Sequence, residues 1–251
     1  MRIVVIVAMA LSLYAHPALA QTAIVFIQAG DNLRDRFDNK GALEQYRKAV
    51  EENPQSVVAK TRLIQALVDN GEDLESDDSE KYYLEAMDLA KEVVKANPSL
   101  GEAHYLLALA TGKLALFRGG KEKVKLSREV KESGVKALEL DPDNSKAHIL
   151  MGVYYREIAN LNWALKMFAN TFFGGLPEGT NADAVRELTK AIELDPQSIR
   201  ARFELGKTYE VMGRNQEAAD EYNKAAERTP ADHLDPKYIA ESKVGLRRVG
   251  E

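Results

Sequence analysis

His104 and His148 are the first residues of this chain whose type and spacing could do chemistry. Imidazole is a common zinc ligand, and the two histidines lie 44 residues apart. They occupy equivalent positions of two successive repeats described below, so they could be neighbours in space and support a metal-dependent hydrolase. The alternative, which we favour, is that both are packing residues. We therefore predict no metal site.

An acidic segment offers a second candidate for metal binding. Asp73, Glu75 and Asp77 alternate as calcium ligands do in an EF-hand loop. That loop needs a glycine for its sharp turn, and Asp78 stands at this position. The pattern therefore favours a solvated acidic loop over residues 71–79.

A third candidate is the Arg-Gly-Gly-Lys segment at residues 118–121, which resembles a phosphate-binding loop. Ala115 replaces the first glycine of that motif, and Glu122 replaces its Ser or Thr. We predict a solvated helix start instead. The chain also lacks the G-x-S-x-G and H-E-x-x-H motifs of common hydrolases. We therefore expect no catalytic residue, no cofactor and a protein that is not an enzyme.

Composition narrows the class of protein further. The chain has 251 residues, 45% of them hydrophobic and 29% charged, as in an ordinary globular protein. Its net charge of −5 argues against a nucleic-acid partner, which would call for a basic face. The absence of cysteine excludes disulfides and thiolate chemistry.

The first twenty residues have the pattern of a secretory signal peptide. Arg2 precedes an apolar stretch at 3–15, Pro17 breaks it, and Ala18-Leu19-Ala20 forms a cleavage site. The alternative is an uncleaved anchor, but 13 apolar residues are fewer than the ~20 that span a bilayer as a helix. We expect export, with the bacterial periplasm as the destination and no integral membrane segment after cleavage.

The element that must position any site is a unit of 34 residues, Ile199–Asp232. Apolar and small residues recur in it three and four apart, which is typical of two amphipathic helices. Gly213 and Asn215 mark a turn between the helices, and Pro230 is expected to stop the second one. Length and pattern resemble the tetratricopeptide repeat, whose period is about 34 residues.

Prolines that could stop helices recur along the chain, and they show that the other repeats are longer. Successive intervals are 44, 44, 54 and 34 residues, for Pro54, Pro98, Pro142, Pro196 and Pro230. We predict an all-α tetratricopeptide-repeat solenoid forming one domain, residues 21–251. Its repeats are expected at about 23–56, 57–100, 101–144, 145–198 and 199–232, with a cap helix at 235–249. The polar face of this cap would include Ser242, Lys243, Arg247 and Arg248.

The fourth repeat has the most residues beyond the 34-residue unit, and these predict an extra helix at about 161–173. After it, Thr180 and Asp183 resemble a capping box. This tract resembles the regulator of microtubule dynamics family through an A-N-L-x-W pattern, an aromatic-Gly stop and a Pro-x-x-Thr restart: Ala159, Asn160, Leu161, Trp163, Phe173, Gly174, Pro177 and Thr180. The resemblance covers about 81–249. It implies a helical solenoid that acts by protein contact without enzyme activity.

The resemblance to tetratricopeptide repeats implies that the first helix of each repeat lines a concave face, with roughly its second, fifth, ninth and twelfth positions exposed. The resulting stripe is apolar with a few charges, as suits an extended peptide or a helix. The predicted partner-binding groove consists of Tyr105, Leu109, Ile149, Val153, Arg156, Phe203, Lys207 and Glu210. The alternative is that the inserts or the terminal helix of the chain itself fill the stripe.

The extra helix holds the densest aromatic cluster, including Trp163, Phe168 and Phe172. Self-packing is the expected role of an aromatic stripe at helical spacing. A partner surface is the alternative, since aromatic residues are enriched at interfaces. We therefore expect a non-enzymatic scaffold or adaptor that binds protein segments in its groove. The alternatives are a homo-oligomer joined through the extra helix and the metal-dependent enzyme described above.

Overall fold

The computed structural model describes residues 17–74 and 76–250, with side chains from residue 21 onward. The predicted signal peptide therefore lies almost entirely outside the described residues. Within them the chain forms helices α1 to α12: Pro17–Arg34, Asn39–Glu52, Val57–Leu74, Ser79–Ala96, Gly101–Arg118, Gly120–Leu140, Ser145–Ala159, Trp163–Phe173, Asn181–Leu194, Ile199–Val211, Asn215–Ala226 and Asp235–Val249. No helix in this part of the chain has both the length and the apolar character to cross a bilayer.

The helices pack as five antiparallel pairs, α1/α2, α3/α4, α5/α6, α7/α9 and α10/α11. The first helices of neighbouring pairs also pack on one another and form an inner layer, while the second helices form an outer layer. Helix α8 is inserted between α7 and α9 and packs on α6, and α12 packs on α10 and α11. The all-α solenoid predicted from the repeats is confirmed.

The prolines act as predicted at four of the five repeat ends. Helices α2, α4, α6 and α9 each end one residue before an Asn or Asp that precedes proline, because a residue before proline is disfavoured in the α conformation. The fifth expectation is wrong. Helix α11 ends at Ala226, before Pro230, so this proline does not stop it.

The extra residues of the long repeats are accommodated in two ways. Helices α5 and α6 have 18 and 21 residues, against 13 and 12 in α10 and α11, so this repeat lengthens its helices. The fourth repeat instead adds α8, which begins at Trp163 rather than at Leu161. Gly174 caps the end of this helix with a φ of +68°. The capping box of Thr180 and Asp183 is present.

Three local predictions are corrected by the structure. Residues 71–74 of the predicted acidic loop belong to α3, where Gly71 is buried against Tyr83. Ser242 of the expected polar face is fully buried, and its hydroxyl donates to the backbone oxygen of Tyr238 at 2.7 Å. Asn215, placed in a turn by its type, instead begins α11.

Close approach of the two helices in a pair depends on a glycine in the first helix. A Cβ on Gly206 would stand 2.7 Å from ring atoms of Tyr222, and one on Gly30 would stand 2.5 Å from the Tyr46 ring. Both tyrosines are fully buried. Each tyrosine therefore fills the space that the missing side chain leaves. The third pair differs, since a Cβ on Gly112 would meet Val130 only at 3.9 Å.

This difference predicts opposite effects of the same substitution. Gly206→Ala should lower the free energy of unfolding by about 1–3 kcal/mol, because the added methyl group overpacks against Tyr222. Gly112→Ala should raise it by roughly 0.5–1 kcal/mol, because alanine favours the helix and has room there. Urea unfolding followed by circular dichroism would measure both. Equal effects of the two substitutions would contradict the packing role of Gly206.

Candidate functional site

The residues predicted at the fifth positions of the concave stripe are not exposed. Tyr105, Ile149 and Phe203 retain 6%, 5% and 3% of their surface. Phe203 is covered by the cap, since its ring centroid lies 5.2 Å from that of Tyr238 in α12 and 6.1 Å from that of Tyr222. At this end of the stripe, the alternative in which the terminal helix fills the groove therefore describes the structure.

The charged residues predicted for the groove are bound to other parts of the chain. Arg156 is buried and pairs with Glu204 at 2.7 Å, and its Nη1 donates to the backbone oxygen of Glu204 at 3.0 Å. Burial of Glu204 opposes its charged form, but Arg156, Lys207 and Arg200 together outweigh this and hold the pKa of the carboxyl below its ordinary value. The predicted exposure of Arg156 is therefore wrong.

The two remaining charges of the predicted groove lie near the cap. Glu210 accepts hydrogen bonds from Arg248 at 2.8 and 2.9 Å, and these lower the pKa of Glu210. The Lys207 ammonium stands 5.2 Å from the ring centroid of Phe203. These contacts attach α10 to α12. Whether Lys207 and Glu210 also contact a partner stays a prediction.

Two of the ninth-position residues, Leu109 and Val153, line cavities inside the superhelix. Val153 is half-buried and lines a small cavity of about 110 Å³. Leu109 borders this cavity and also a larger chamber of about 540 Å³. Tyr105 and Ile149 line the larger chamber as well. The structure thus brings three of the predicted groove residues together around one space.

The larger chamber, called the concave chamber below, is enclosed from several sides. Its walls come from α3, α5, the start of α7, the turn before α10, and residues 231–238 at the start of the cap. Its volume lies within the ~300–1,000 Å³ typical of ligand sites. The cap segment therefore turns an open groove into a chamber that could hold a small ligand or the end of a chain.

Several charged groups in this region are already matched within the chain. Glu72 pairs with Lys113, which is buried. Asp235 accepts from the backbone nitrogens of Ala231 and Asp232, each at 2.8 Å. His233 lies 3.1 Å from Asp232 and 3.7 Å from Asp73 of α3. The last contact links the cap segment to the second repeat across the chamber.

Asp69 is the most deeply buried carboxyl on the α3 wall. Its Oδ1 accepts one hydrogen bond, from Gln65 at 2.7 Å. Burial raises the pKa of Asp69 to about 6, although the neighbouring His233 opposes this shift. Sequence reasoning missed Asp69, because its position on a helix face does not show which side chains of the cap will cover it.

Arg200, which borders both cavities, was also missed. It stands at the second position of its repeat, one of the positions that the family pattern exposes, so a signal for it was present. In the folded chain Arg200 interacts with Tyr105 and Tyr238, which lie far from it in sequence. The contact between these elements is visible only in the folded chain.

The two histidines of the hypothetical metal pair make separate, repeated contacts. His104 Nε2 lies 2.9 Å from the backbone oxygen of Pro98, and His148 Nε2 lies 2.9 Å from that of Pro142. His148 Nδ1 also contacts Glu187 at 2.7 Å. Among residues 17–74 and 76–250, no three His, Asp or Glu side chains are grouped as metal ligands.

Helix α8 shows a mixed surface. Its Phe168 is half-buried and packs 5.0 Å from Phe172, centroid to centroid. Trp163 and Phe172 nevertheless remain 74% and 68% exposed. The expected self-packing therefore holds for only part of the aromatic cluster.

These helical pairs, with their inner layer and cap, define a tetratricopeptide-repeat protein of the all-α solenoid class. A family model described as regulator of microtubule dynamics protein 1-3 matches residues 26–249. The chain belongs to this family, and the resemblance seen in the sequence is confirmed.

Individual relatives agree with this assignment. Regulator of microtubule dynamics protein 3 of Rattus norvegicus is 31% identical over 169 residues, which are 66% of this chain and 36% of the relative. Regulator of microtubule dynamics protein 1 of Mus musculus is 31% identical over 151 residues, 59% of this chain and 50% of the relative. The chain thus matches about a third to a half of their length.

A solved structure supports the fold. A thermophilic TPR protein from Thermus thermophilus superposes with a TM-score of 0.66, covering 88% of this chain and 99% of that chain. The two sequences are 21% identical. At this identity the likeness concerns the helical solenoid and not the ligand.

The shifted pKa of Asp69 predicts how stability depends on pH. Its folded value of about 6 exceeds the ordinary value of 3.8, so its contribution to stability is complete below about pH 3.8. That contribution is lost as the pH rises through about 6. Asp69→Asn should therefore raise the free energy of unfolding at pH 7.5 by on the order of 2 kcal/mol and change it little at pH 4.

Urea unfolding at both pH values would measure this effect. Asp143→Asn is the matched control, because Asp143 is exposed in the turn before α7. We expect no gain at pH 7.5 for the control. A variant of Asp69 that is less stable than the parent at pH 7.5 would refute the assigned cost of burying its charge.

Proposed function

We propose that this chain is a non-enzymatic binding scaffold whose concave chamber receives a peptide segment of a partner. The observation that supports this proposal is the chamber itself, because it gathers Tyr105, Leu109 and Ile149 from two successive first helices. An apolar wall with a few polar groups is the usual composition of a binding pocket. The scaffold role also agrees with the family, which shares this fold over most of the chain.

The proposed occupant is an extended segment that enters from the open side of the chamber. The cap covers Phe203, so the peptide would contact the third and fourth repeats more than the fifth. Exposed polar groups at the start of α7, such as Lys146, would lie at the rim. The names of the relatives refer to microtubule dynamics, and we do not extend that role to this chain.

We further propose that the protein acts after export, in the bacterial periplasm. The support is the apolar stretch at 3–15 followed by the Ala18-Leu19-Ala20 cleavage site. A chain without cysteine is also suited to an oxidising compartment, because it cannot form wrong disulfides there.

Photocrosslinking of the tagged protein, purified from the exported fraction, tests both proposals. We expect one or a few partners to be captured, and Edman sequencing should place the mature N-terminus at Gln21. Gln65→Trp should reduce the capture at least tenfold, because an indole on the α3 wall would fill part of the chamber.

Gln216→Trp is the matched control, since Gln216 is exposed on α11 outside the chamber. Circular dichroism would establish that both variants fold. Undiminished capture by folded Gln65→Trp would rule out the chamber as the binding site. A protein retained with Met1 in the cytoplasm would rule out export.

A second candidate function is self-assembly through α8. The observation that favours it is the exposure of Trp163, Met167 and Phe172, at 74%, 48% and 68%. Large apolar side chains exposed together on one element are typical of an interaction surface. A second copy of the chain could cover them.

Light scattering over a range of concentrations would test this assembly. If it occurs, the parent chain should be a dimer or larger, and the double variant Trp163→Ser with Phe172→Ser should be monomeric. Val244→Ser is a matched control on α12, where Val244 is 41% exposed. A monomeric parent chain at all concentrations would exclude the second function.

A further inference from the structure

The concave chamber contains an arginine, Arg200, whose guanidinium forms no ion pair with the described residues. Arg200 is the second residue of α10, and its side chain lies between the two cavities. Its Nε is buried with no hydrogen-bond acceptor. Within the described part of the chain, the only ring contact of its guanidinium is with Tyr238 at 6.0 Å. A planar guanidinium with free donors is suited to bind a carboxylate with two hydrogen bonds.

Two phenol groups face the same space. Tyr105 and Tyr238 line the chamber, and neither hydroxyl has a hydrogen-bond partner among the described residues. Burial raises the pKa of both tyrosines, so both hydroxyls keep their protons and can donate. Both rings lie close enough to Arg200 to interact with its charge. Three residues with donor groups, from α5, α10 and α12, therefore line the same chamber.

Three other buried or half-buried cations of the described residues have ion-pair partners. Arg156 has Glu204, Lys113 has Glu72, and Arg202 has Glu221 at 3.0 Å. A buried charge without a partner costs stability, and proteins normally match it. Burial lowers the pKa of Arg200, but Tyr238, Glu72, Tyr105 and Glu204 together outweigh this and raise it, so the group remains charged. Neither carboxylate is within ion-pair distance, so the guanidinium donors remain available. An anion from outside the chain would complete its environment.

A free acceptor lies on another wall of the same chamber. Oδ1 of Asp69 accepts from Gln65, whereas Oδ2 has no hydrogen-bond donor among the described residues. Asp69 and Arg200 both line the chamber, and both interact electrostatically with Tyr105. The lining thus offers hydrogen-bond donors and a carboxylate.

We propose that the concave chamber binds a small zwitterion, namely a free amino acid or a dipeptide with both ends unblocked. Its carboxylate would accept hydrogen bonds from Arg200, Tyr105 and Tyr238, and its ammonium would pair with Asp69. Leu109 and Ile149 would contact the side chains of the ligand. The inference shares the chamber with the proposed function and specifies which peptide end groups are bound there.

Enclosure of the chamber supports a short ligand with free ends. Residues 231–238 close one side, and helices α3, α5 and α7 close others. A chain that ran through the chamber would need an entrance and an exit, whereas the end of a partner segment or a short ligand needs only one opening. The carboxylate of such a ligand would meet Arg200, and its ammonium would meet Asp69, whose Oδ2 has no hydrogen-bond donor among the described residues.

Isothermal titration of the purified protein with three probes tests this proposal. The probes are the dipeptide Ala-Leu, its N-acetylated form and its C-terminal amide. We expect each blocked form to bind at least tenfold more weakly than the free dipeptide. Arg200→Gln should abolish the difference between acid and amide, and Asp69→Asn should abolish the difference between free and acetylated dipeptide.

Arg247→Gln is the matched control, because Arg247 is exposed on α12. It should bind all three probes as the parent does. A second measurement separates a ligand-binding Arg200 from a structural one. The melting temperature of Arg200→Gln without ligand should equal or exceed that of the parent, since the variant removes an unmatched buried charge; a clear loss would show that Arg200 serves packing, and Arg200→Lys would then be titrated instead.

The other outcomes contradict the inference. Equal binding of the three probes, or no binding of any, would overturn it. Binding of inorganic phosphate without the dipeptide would assign Arg200 to a phosphate-bearing ligand and overturn it as well. The proposed function is tested separately by the capture experiment, so chamber-dependent capture of a partner without dipeptide binding would leave that function standing.

Discussion

The structure depends on the close approach of two helices at a glycine. In three of the five pairs, a glycine of the first helix lies under a buried or nearly buried tyrosine of the second: Gly30 under Tyr46, Gly71 under Tyr83, and Gly206 under Tyr222. A side chain at any of these positions would collide with the tyrosine ring. The two helices of the pair can therefore approach closely because the residue is glycine. Tyr222 also fills the space over Gly245 of α12, so the same ring fixes the cap. Where a pair is set in this way, its two helices pack closely. The first helices of neighbouring pairs form one inner layer, in which their side chains meet.

That inner layer explains why the concave face is only partly open. Side chains at the fifth positions point inward, where the cap covers Phe203 while Tyr105 and Ile149 border the concave chamber. The cap is held by Arg248 on Glu210 and by the contact of His233 with Asp73 across the superhelix. The cap therefore closes the groove and, by the same contacts, forms the chamber. Charges that face inward must find partners in the chain or in a ligand, and Arg200 forms no ion pair with the described residues.

The long repeats show that a solenoid tolerates extra residues where they do not disturb this layer. The third repeat extends both helices outward, and the fourth places α8 on α6. Only part of α8 has a surface to pack on, because α6 contacts one face of the helix, and Trp163 stays exposed. The excess residues thus add a surface that regular repeats lack. This surface is distinct from the chamber, so the two could serve different interactions.

The sequence by itself determined the helical solenoid, the four repeat ends at which a helix stops before a proline, the capping box and the family. These features depend on local rules, namely helical periodicity, the conformation before proline and a fixed repeat length. It also identified Tyr105, Leu109 and Ile149 as neighbours, because equivalent positions of successive repeats stack. It could not determine their exposure, nor the roles of Asp69, Arg200 and Tyr238, nor the burial of Ser242. Those properties depend on how the cap helix α12, which begins more than 30 residues after Arg200, folds back over the inner layer. The burial of a side chain and the pairing of its charge depend on contacts with several helices. Only the tertiary structure brings those helices together.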